Sequence, residues 1–241
     1  EDAHRALGRN ETLPGLRRTT SGSPLDTLIR LFLLQTPVSR EAAEQALPEL
    51  ADPLCNAGLL EQSVGEVAAR MDCRPYATED RDLFVVSDLT PGLDGYPVRV
   101  GSDHVLGISS ASTSLAQLTM REPVGQALDL GTGCGVQALH LAGHANEVVA
   151  TDVNARALWI TGLNAALNEV DVEVRDGSFF EPVAGERFDL IATNPPFVIS
   201  PATGERLVYR DSGLPGDRVV EHIVRAGPDH LAEGGWLQIL A

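Results

Sequence analysis

Apolar side chains in the first ninety residues show the spacing that is typical of short helices. A helix is predicted from Pro24 onward, with an apolar face formed by Leu25, Leu28, Ile29 and Phe32. Two shorter helices are predicted after it, the first capped at its N-terminus by a serine side chain. Short strands are then predicted at 59–61, 66–71 and 83–86.

This order of elements leaves two interpretations open for the N-terminal part. Three short helices followed by a small hairpin are typical of a winged-helix module, and equally of a generic helical accessory domain. Prolines and glycines then cluster in the next dozen residues, which indicates a linker. We therefore expect a small, mostly helical domain over 1–90, a linker over 91–102 and a second domain over 103–241.

Beyond the linker, apolar runs alternate with helical patterns. Alternation of this kind predicts an α/β domain with a parallel sheet. The last residues form an apolar run that stops inside a predicted strand, so we expect C-terminal strands of this sheet to be missing. The strands are predicted at 127–130, 147–152, 172–177, 188–194 and 236–240, and the helices at 135–143, 154–168 and 217–232.

Composition narrows the class of protein. The 241 residues carry 18 basic side chains, all arginine, against 34 acidic ones, a net charge of −16. A general nucleic-acid binder needs a basic face, so this acidic balance argues against general nucleic-acid binding. It still allows nucleic acid to bind in a local groove. No apolar run approaches the ~20 residues of a membrane span. Three widely spaced cysteines predict reduced thiols in a cytoplasmic protein. The lack of lysine suggests a bacterial coding sequence.

A glycine-rich turn follows the first strand of the second domain. In the sequence LDLGTGCGV, Gly131, Gly133 and Gly135 alternate between a buried strand that we expect to end at Asp129 and the start of a helix. Glycines permit a tight turn and close approach of a ligand, and the helix N-terminus offers free N–H groups. The third glycine of a dinucleotide fingerprint is replaced by valine, so no pyrophosphate has to be accommodated.

Acidic residues follow at the ends of the next two strands. Asp152 is placed where a carboxylate can accept hydrogen bonds from both hydroxyls of a ribose. Asp176, followed by Gly177 and Ser178, can read an adenine amino group. With Asp129, these acids are expected to lie in register at three successive strand ends.

The segment FDLIATNPPF carries the most specific signal in the chain. Asn194 ends a strand, and the two following prolines fix the backbone. The Asn194 amide oxygen, the Pro195 carbonyl and the ring of Phe197 suit a planar NH2 group, because two acceptors take its protons and the ring stacks on its π system. Holding both N–H bonds directs the nitrogen lone pair at an electrophile without a strong general base.

In this order, DLGTGCG, ATDVN, DGSFF and NPPF resemble the class I S-adenosylmethionine-dependent methyltransferases. The resemblance covers about 103–241, and within the group it is to HemK-like glutamine-N5 methyltransferases and to rRNA guanine-N2 and adenine-N6 enzymes. It implies a Rossmann-like sheet of seven strands, of which five are visible. It also implies S-adenosylmethionine as cofactor and S-adenosylhomocysteine as product, and a macromolecular acceptor. The spacing of the cysteines and histidines and the short apolar runs indicate no metal site and no membrane partner. The implied cofactor-binding residues are Asp129, Gly131, Thr132, Gly133, Gly135, Asp152, Val153, Asp176, Gly177, Ser178 and Asn194, and the implied catalytic residues are Asn194, Pro195, Pro196 and Phe197.

The acceptor is less well defined by the sequence. We favour a protein glutamine amide, with an rRNA or other nucleic-acid base as the alternative and a non-catalytic S-adenosylmethionine-binding module as a second alternative. Two segments outside the motifs are candidates for substrate contact. They supply Ser112 and Thr113 before the first strand, and Tyr209 and Arg210 in a long loop after the NPPF segment.

Overall fold

The structure, a computed structural model, describes residues 2–78, 81–96, 100–196 and 218–241. Contacts divide the chain into two compact units. The first comprises residues 1–82 and 86–100, and the second comprises 83–85 and 101–241. Within the described residues, no helix is long and apolar enough to cross a membrane.

The N-terminal unit is built from short helices and a small antiparallel sheet of order β1-β3-β2. The helices are α1 (Asp2–Leu7), α2 (Leu13–Arg18), α3 (Pro24–Leu28), α4 (Arg40–Ala46) and α5 (Ala51–Asn56); the strands are β1 (Val38–Ser39), β2 (Leu60–Ser63), β3 (Glu66–Ala69) and β4 (Met71–Ala77). Strand β5 (Asp82–Asp88) follows, and its residues 83–85 belong to the second unit. The predicted helices and hairpin are therefore present; the assignment as a winged helix stays a prediction.

One feature of this unit corrects the sequence analysis. The helix that begins at Pro24 continues as a turn of π-helix over Ile29–Leu33. Its buried positions are Thr27 and Leu31, whereas Leu25, predicted on the apolar face, is 65% exposed. The π turn takes more residues than an α turn, so it shifts which side chains face the core.

The second unit is a parallel five-stranded sheet of order β10-β9-β6-β7-β8. Each strand matches a predicted one within a few residues, and the predicted α/β fold is confirmed. The strands are β6 (Val124–Leu130), β7 (Ala145–Asp152), β8 (Glu173–Asp176), β9 (Phe188–Thr193) and β10 (Leu231–Ile239); the helices are α6 (Ser110–Leu118), α7 (Val136–Leu141), α8 (Ala155–Leu167) and α9 (Arg218–Ala226).

Both faces of the central strands β6, β7 and β9 are buried, as expected for parallel strands flanked by helices. Neighbouring residues of one strand point to opposite faces. In β6, Ala127 belongs to a cluster with Leu141 of α7, and Leu128 to a second cluster with Ile223 of α9. This alternation explains why the strands read as continuous apolar runs.

Strand order places a reversal at β6. The chain goes from β6 outward to β7 and β8, and then returns to place β9 on the other side of β6. In open parallel sheets, the crevice at such a reversal, beyond the carboxyl ends of the strands, is where ligands bind.

Candidate active site

A cavity of about 420 Å³ opens at this reversal, a size typical of small-molecule sites. Its described lining comes from the carboxyl ends of β6, β7, β8 and β9, from α9 and from the segment that precedes α6. The predicted site residues that it brings together are Asp129, Gly131, Thr132, Gly133, Asp152, Val153, Gly177, Ser178, Asn194, Pro195, Pro196 and Ser112.

The glycine-rich turn is shaped by three positive φ angles. Gly131 has φ of 76° and Gly133 has φ of 57°, and an added Cβ at either would meet nothing within 4 Å. These two glycines therefore leave open space at the cavity wall. Gly135 has φ of 83°, but a Cβ there would come within 3.0 Å of the Thr161 side chain. Gly135 thus permits packing between the turn and α8 and is not among the described lining residues.

Asp129 differs from its predicted placement. Strand β6 continues to Leu130, and Asp129 pairs with Ala150, so it is not in register with the acids that end β7 and β8. Its buried carboxylate accepts hydrogen bonds from Thr132 Oγ1 at 2.7 Å and from the Ala138 N–H at 2.9 Å. Burial raises the pKa of Asp129 to about 7, although both hydrogen bonds oppose the rise. This carboxyl can change charge near neutral pH.

Asp152 is fixed by backbone donors from two turns. Its Oδ2 accepts the Gly133 N–H at 3.0 Å and its Oδ1 accepts the Asn154 N–H at 2.9 Å. Burial raises the pKa of Asp152 in spite of these bonds. Each carboxylate oxygen can accept a further bond, so Asp152 can bind a pair of ligand hydroxyls in a fixed orientation.

At the end of β8, the residues after Asp176 form the wall. Asp176 pairs with Asp152 in the sheet but is exposed and is absent from the described lining. Gly177, Ser178 and Phe179 line the cavity instead. Gly177 is required here because its φ is 147° and a Cβ would lie 2.6 Å from Pro182. The predicted adenine contact of Asp176 stays a prediction, and Ser178 is the polar side chain nearest to that role.

Asn194 presents an unused acceptor to the cavity. It directly follows β9, whose last residue, Thr193, donates its hydroxyl to the Leu130 carbonyl at 2.7 Å. The Asn194 Oδ1 atom is buried and has no hydrogen-bond partner among the described residues. A buried amide oxygen without a partner is costly, which favours a ligand donor at this point. Three predicted residues, Phe197, Tyr209 and Arg210, lie outside the described part of the chain.

The remaining walls contain residues that the motifs did not indicate. His104, Val105, Leu106 and Gly107 contribute from the irregular segment before α6, and Val219 and Ile223 from α9. The spacing of the last two, four residues apart on a predicted helix, is the signal that could have found them. Thr113, predicted with Ser112, is absent from the described lining; its hydroxyl donates to the Ser109 carbonyl.

Charge in the cavity is of one sign. The described lining residues include two carboxyl groups, those of Asp129 and Asp152, and no arginine. The described part of the chain also holds no group of three or more histidine, cysteine or acidic residues placed to bind a metal ion. A cationic ligand fits this lining better than an anionic one.

The reversal of the sheet, the glycine turn and the Asn-Pro-Pro segment define a Rossmann-like domain of the methyltransferase class. The chain belongs to the Methyltransferase small domain family, which matches residues 106–241. Residues 1–70 match a domain of unknown function, DUF7059.

Curated relatives match parts of the chain. A release factor glutamine methyltransferase of Xylella fastidiosa is 38% identical over 122 residues, which cover 45% of this chain and 44% of that protein. A ribosomal RNA small subunit methyltransferase C of Cronobacter sakazakii is 33% identical over 167 residues, which cover 66% of this chain and 42% of that protein. The chain thus spans less than half the length of these relatives.

A solved structure supports the fold. The 16S rRNA methyltransferase of T. thermophilus, in complex with AdoMet and guanosine, aligns with a TM-score of 0.53 at 17% identity. The alignment covers 92% of this chain and 62% of that one.

Proposed function

We propose that this protein is an S-adenosylmethionine-dependent N-methyltransferase whose acceptor is a planar NH2 group, with a protein glutamine amide as the favoured substrate. The observation that carries the proposal is the buried Asn194 Oδ1, which has no hydrogen-bond partner among the described residues and belongs to the lining of a cavity whose other polar groups suit a nucleoside with a cationic tail.

The residues fit this cofactor. Asp152 would hold the ribose hydroxyls, because its two oxygens are already oriented by the Gly133 and Asn154 N–H groups. The space left by Gly131 and Gly133 would admit the methionine portion beside the turn. Asp129 supplies a carboxyl next to a cationic group. When bound, S-adenosylmethionine supplies an electrophilic methyl group on a sulfonium.

The residues at the acceptor end of the cavity would promote the reaction by orienting the substrate nitrogen. An amide nitrogen is a poor nucleophile because its lone pair is delocalised. Asn194 Oδ1 and the carbonyl of Pro195 would accept the two N–H bonds of the substrate, which favours a pyramidal nitrogen with its lone pair directed into the cavity. The nitrogen becomes positively charged as it is methylated and then releases a proton, which makes proton acceptors beside it useful.

A protein acceptor is favoured by charge. The chain carries a net charge of −16 and no lysine, and the described cavity lining has no arginine. Nucleic acid is bound largely through its phosphates by basic side chains, whereas a glutamine side chain is neutral. The named activity of the Xylella relative, release factor glutamine methylation, agrees with this choice. We place the activity in a bacterial cytoplasm, on the free cysteines and on the composition.

A base in rRNA is the second candidate. It is favoured by the Cronobacter relative, which matches a longer stretch of this chain than the Xylella enzyme does. An rRNA substrate requires basic side chains on the surface next to the opening of the cavity.

Calorimetry with S-adenosylmethionine tests the proposal. Asp152→Ala should weaken binding at least tenfold, or about 1.4 kcal/mol, because the ribose acceptor is lost. Asn194→Ala should keep most of the affinity and lose methyl transfer. Glu173→Ala is the matched control, since Glu173 is an exposed acid on the neighbouring strand that bonds Arg175. A wild-type protein that does not bind S-adenosylmethionine would refute the proposal.

Labelled-methyl transfer into a cell lysate then identifies the acceptor. Label removed by protease and retained after nuclease would support a protein substrate, and the opposite pattern would support the rRNA alternative. An Asn194→Ala protein that transfers label as well as wild type would remove Asn194 from the acceptor site.

A further inference from the structure

One wall of the cavity is an irregular segment attached to the rest of the site by side-chain amides. We call residues 103–112 the cover segment. From His104 to Ser109 it has no regular secondary structure, and yet Val105 within it is only 2% exposed. A wall of this kind lacks the backbone ladder that fixes a strand or a helix. Its position therefore depends on specific contacts to ordered elements.

Two amide side chains donate hydrogen bonds to the two ends of the cover segment. Asn154 Nδ2 donates to the Asp103 carbonyl at 2.8 Å. Gln137 Nε2, from the nearly buried side chain of a residue on α7, donates to the Ser112 carbonyl at 2.8 Å. Both donors come from residues that line the cavity. The wall is thus joined at each end to the elements that carry the glycine turn and the acidic strand end.

Asn154 makes three separate connections. Its backbone N–H donates to Asp152 Oδ1 at 2.9 Å. Its side-chain oxygen accepts the Arg156 N–H at 3.0 Å and so caps α8. Its side-chain nitrogen reaches Asp103. A single residue therefore links the carboxylate that faces the cavity, the start of α8 and the cover segment.

We propose that Asn154 is a positioning residue for the nucleoside ligand: it fixes the cover segment to the turn that orients Asp152, so that the ligand meets a preformed wall. This inference rests on the proposed function for the identity of the ligand. Ordering a loop on binding reduces affinity, so a cover segment that is already fixed before binding raises affinity. At the other end, Gln137 joins the first turn of α6 to α7.

Substitutions at 154 can separate the connection to the cover segment from the helix cap. Asn154→Ser keeps a good N-cap but is too short to reach the Asp103 carbonyl, and Asn154→Ala loses both. Asp103→Ala is the matched control, because the accepting atom is a backbone carbonyl and remains in place. All three variants are compared with wild type by calorimetry with S-adenosylhomocysteine, by thermal unfolding and by hydrogen–deuterium exchange without ligand.

We expect Asn154→Ser to weaken binding about five- to tenfold, to unfold at the wild-type temperature, and to exchange amides faster in the cover segment but not at the start of α8. Asn154→Ala should show the same changes and, in addition, a lower unfolding temperature and faster amide exchange in α8. Asp103→Ala should match wild type in all three measurements.

Two results would overturn the inference. One is an Asn154→Ser protein with wild-type affinity and wild-type exchange in the cover segment. The other is an Asn154→Ser protein whose loss of affinity accompanies faster exchange in α8, since that would assign the effect to the cap. If wild-type protein fails to bind, the proposed function fails, and the exchange measurement still decides whether Asn154 fixes the wall.

Discussion

Replacing Asp129 with asparagine should remove a large pH dependence from the stability of the second unit. The Asp129 carboxyl is 1% exposed, and burial raises its pKa to about 7 from an ordinary value of 3.8. A pKa raised in the folded state means that folding disfavours the ionised form. The stabilising effect of the protonated carboxyl is complete below the unfolded pKa, near 4, and is lost as the pH rises through 7.

The magnitude follows from the pKa difference. A folded pKa about three units above the unfolded one corresponds to roughly 4 kcal/mol, lost at about 1.4 kcal/mol per pH unit between about pH 4 and pH 7 and levelling off above pH 7. Asparagine stays neutral throughout. Both donors, Thr132 Oγ1 and the Ala138 N–H, bond to the same carboxylate oxygen, Oδ2, so the amide oxygen of asparagine can accept both.

Urea unfolding of both proteins at pH 5, 6, 7 and 8 measures this effect. The free energy of unfolding of Asp129→Asn, minus that of wild type, should increase from each of these pH values to the next. Glu173→Gln is the control, because Arg175 lowers the pKa of the exposed Glu173 below its ordinary value of 4.5. The stabilising effect of the ionised Glu173 is lost only as the pH falls below that value, so the difference between Glu173→Gln and wild type should stay nearly constant from pH 5 to pH 8. Equal differences between Asp129→Asn and wild type at pH 5 and pH 8 would refute the reasoning.

Two further results are expected. Gly135→Ala should lower the free energy of unfolding by about 1–3 kcal/mol, and by more than Gly131→Ala does. Both glycines have positive φ, but only at Gly135 does the new Cβ meet a neighbour, Thr161. Equal losses for the two variants in urea unfolding would contradict this. Binding of S-adenosylmethionine near pH 6.5 should release protons, because a cation in the cavity favours the ionised forms of Asp129 and Asp152, whose pKa values are raised by burial. Calorimetry in buffers of different ionisation enthalpy measures the release, which should fall in Asp129→Asn; a release unchanged by that substitution would exclude Asp129 as its source.

The sheet could be predicted because buried parallel strands leave a strong signal. Runs such as ALDL and FDLIAT are apolar on both faces, and each is bounded by a turn or a helix. The glycine turn and Asn194 were predictable for a related reason: alternating glycines and the restriction that proline imposes on the preceding residue can be seen in the local sequence.

What the sequence did not indicate depends on contacts between distant residues. Helix α2 contains Pro14 and Gly15, which argue against a helix by propensity. However, proline is tolerated in a first turn, and Gly15 is placed where a Cβ would be 2.7 Å from the Leu34 side chain. The placement of Leu25 on the buried face of the helix that begins at Pro24 was wrong, because a π turn leaves no signal in residue spacing, whereas Phe32 of the same predicted face does pack against the core.

The acids at the strand ends show the same limit within the site. Their spacing of 23 and 24 residues suggested a common register, but β6 continues past Asp129, which pairs with Ala150, two residues before Asp152, so that Asp129 is a buried residue of the cavity wall. Whether Asp176 or Ser178 faces the cavity depends on the backbone at Gly177, whose φ of 147° only the structure gives.

The order of strands in the sheet also constrains how the chain can fold as it is synthesised. One edge of β6 can pair with β7 soon after it is synthesised, but the other edge can pair only once β9 has been made. Thr193 of β9, which donates a hydrogen bond to the Leu130 carbonyl, lies 63 residues further along the chain. At ribosomal speeds of about 5–20 residues per second, this edge stays open for roughly 3–13 seconds. An apolar strand edge open for that long is a site for misassociation. Slower elongation between β8 and β9 should therefore increase the demand for chaperones during expression.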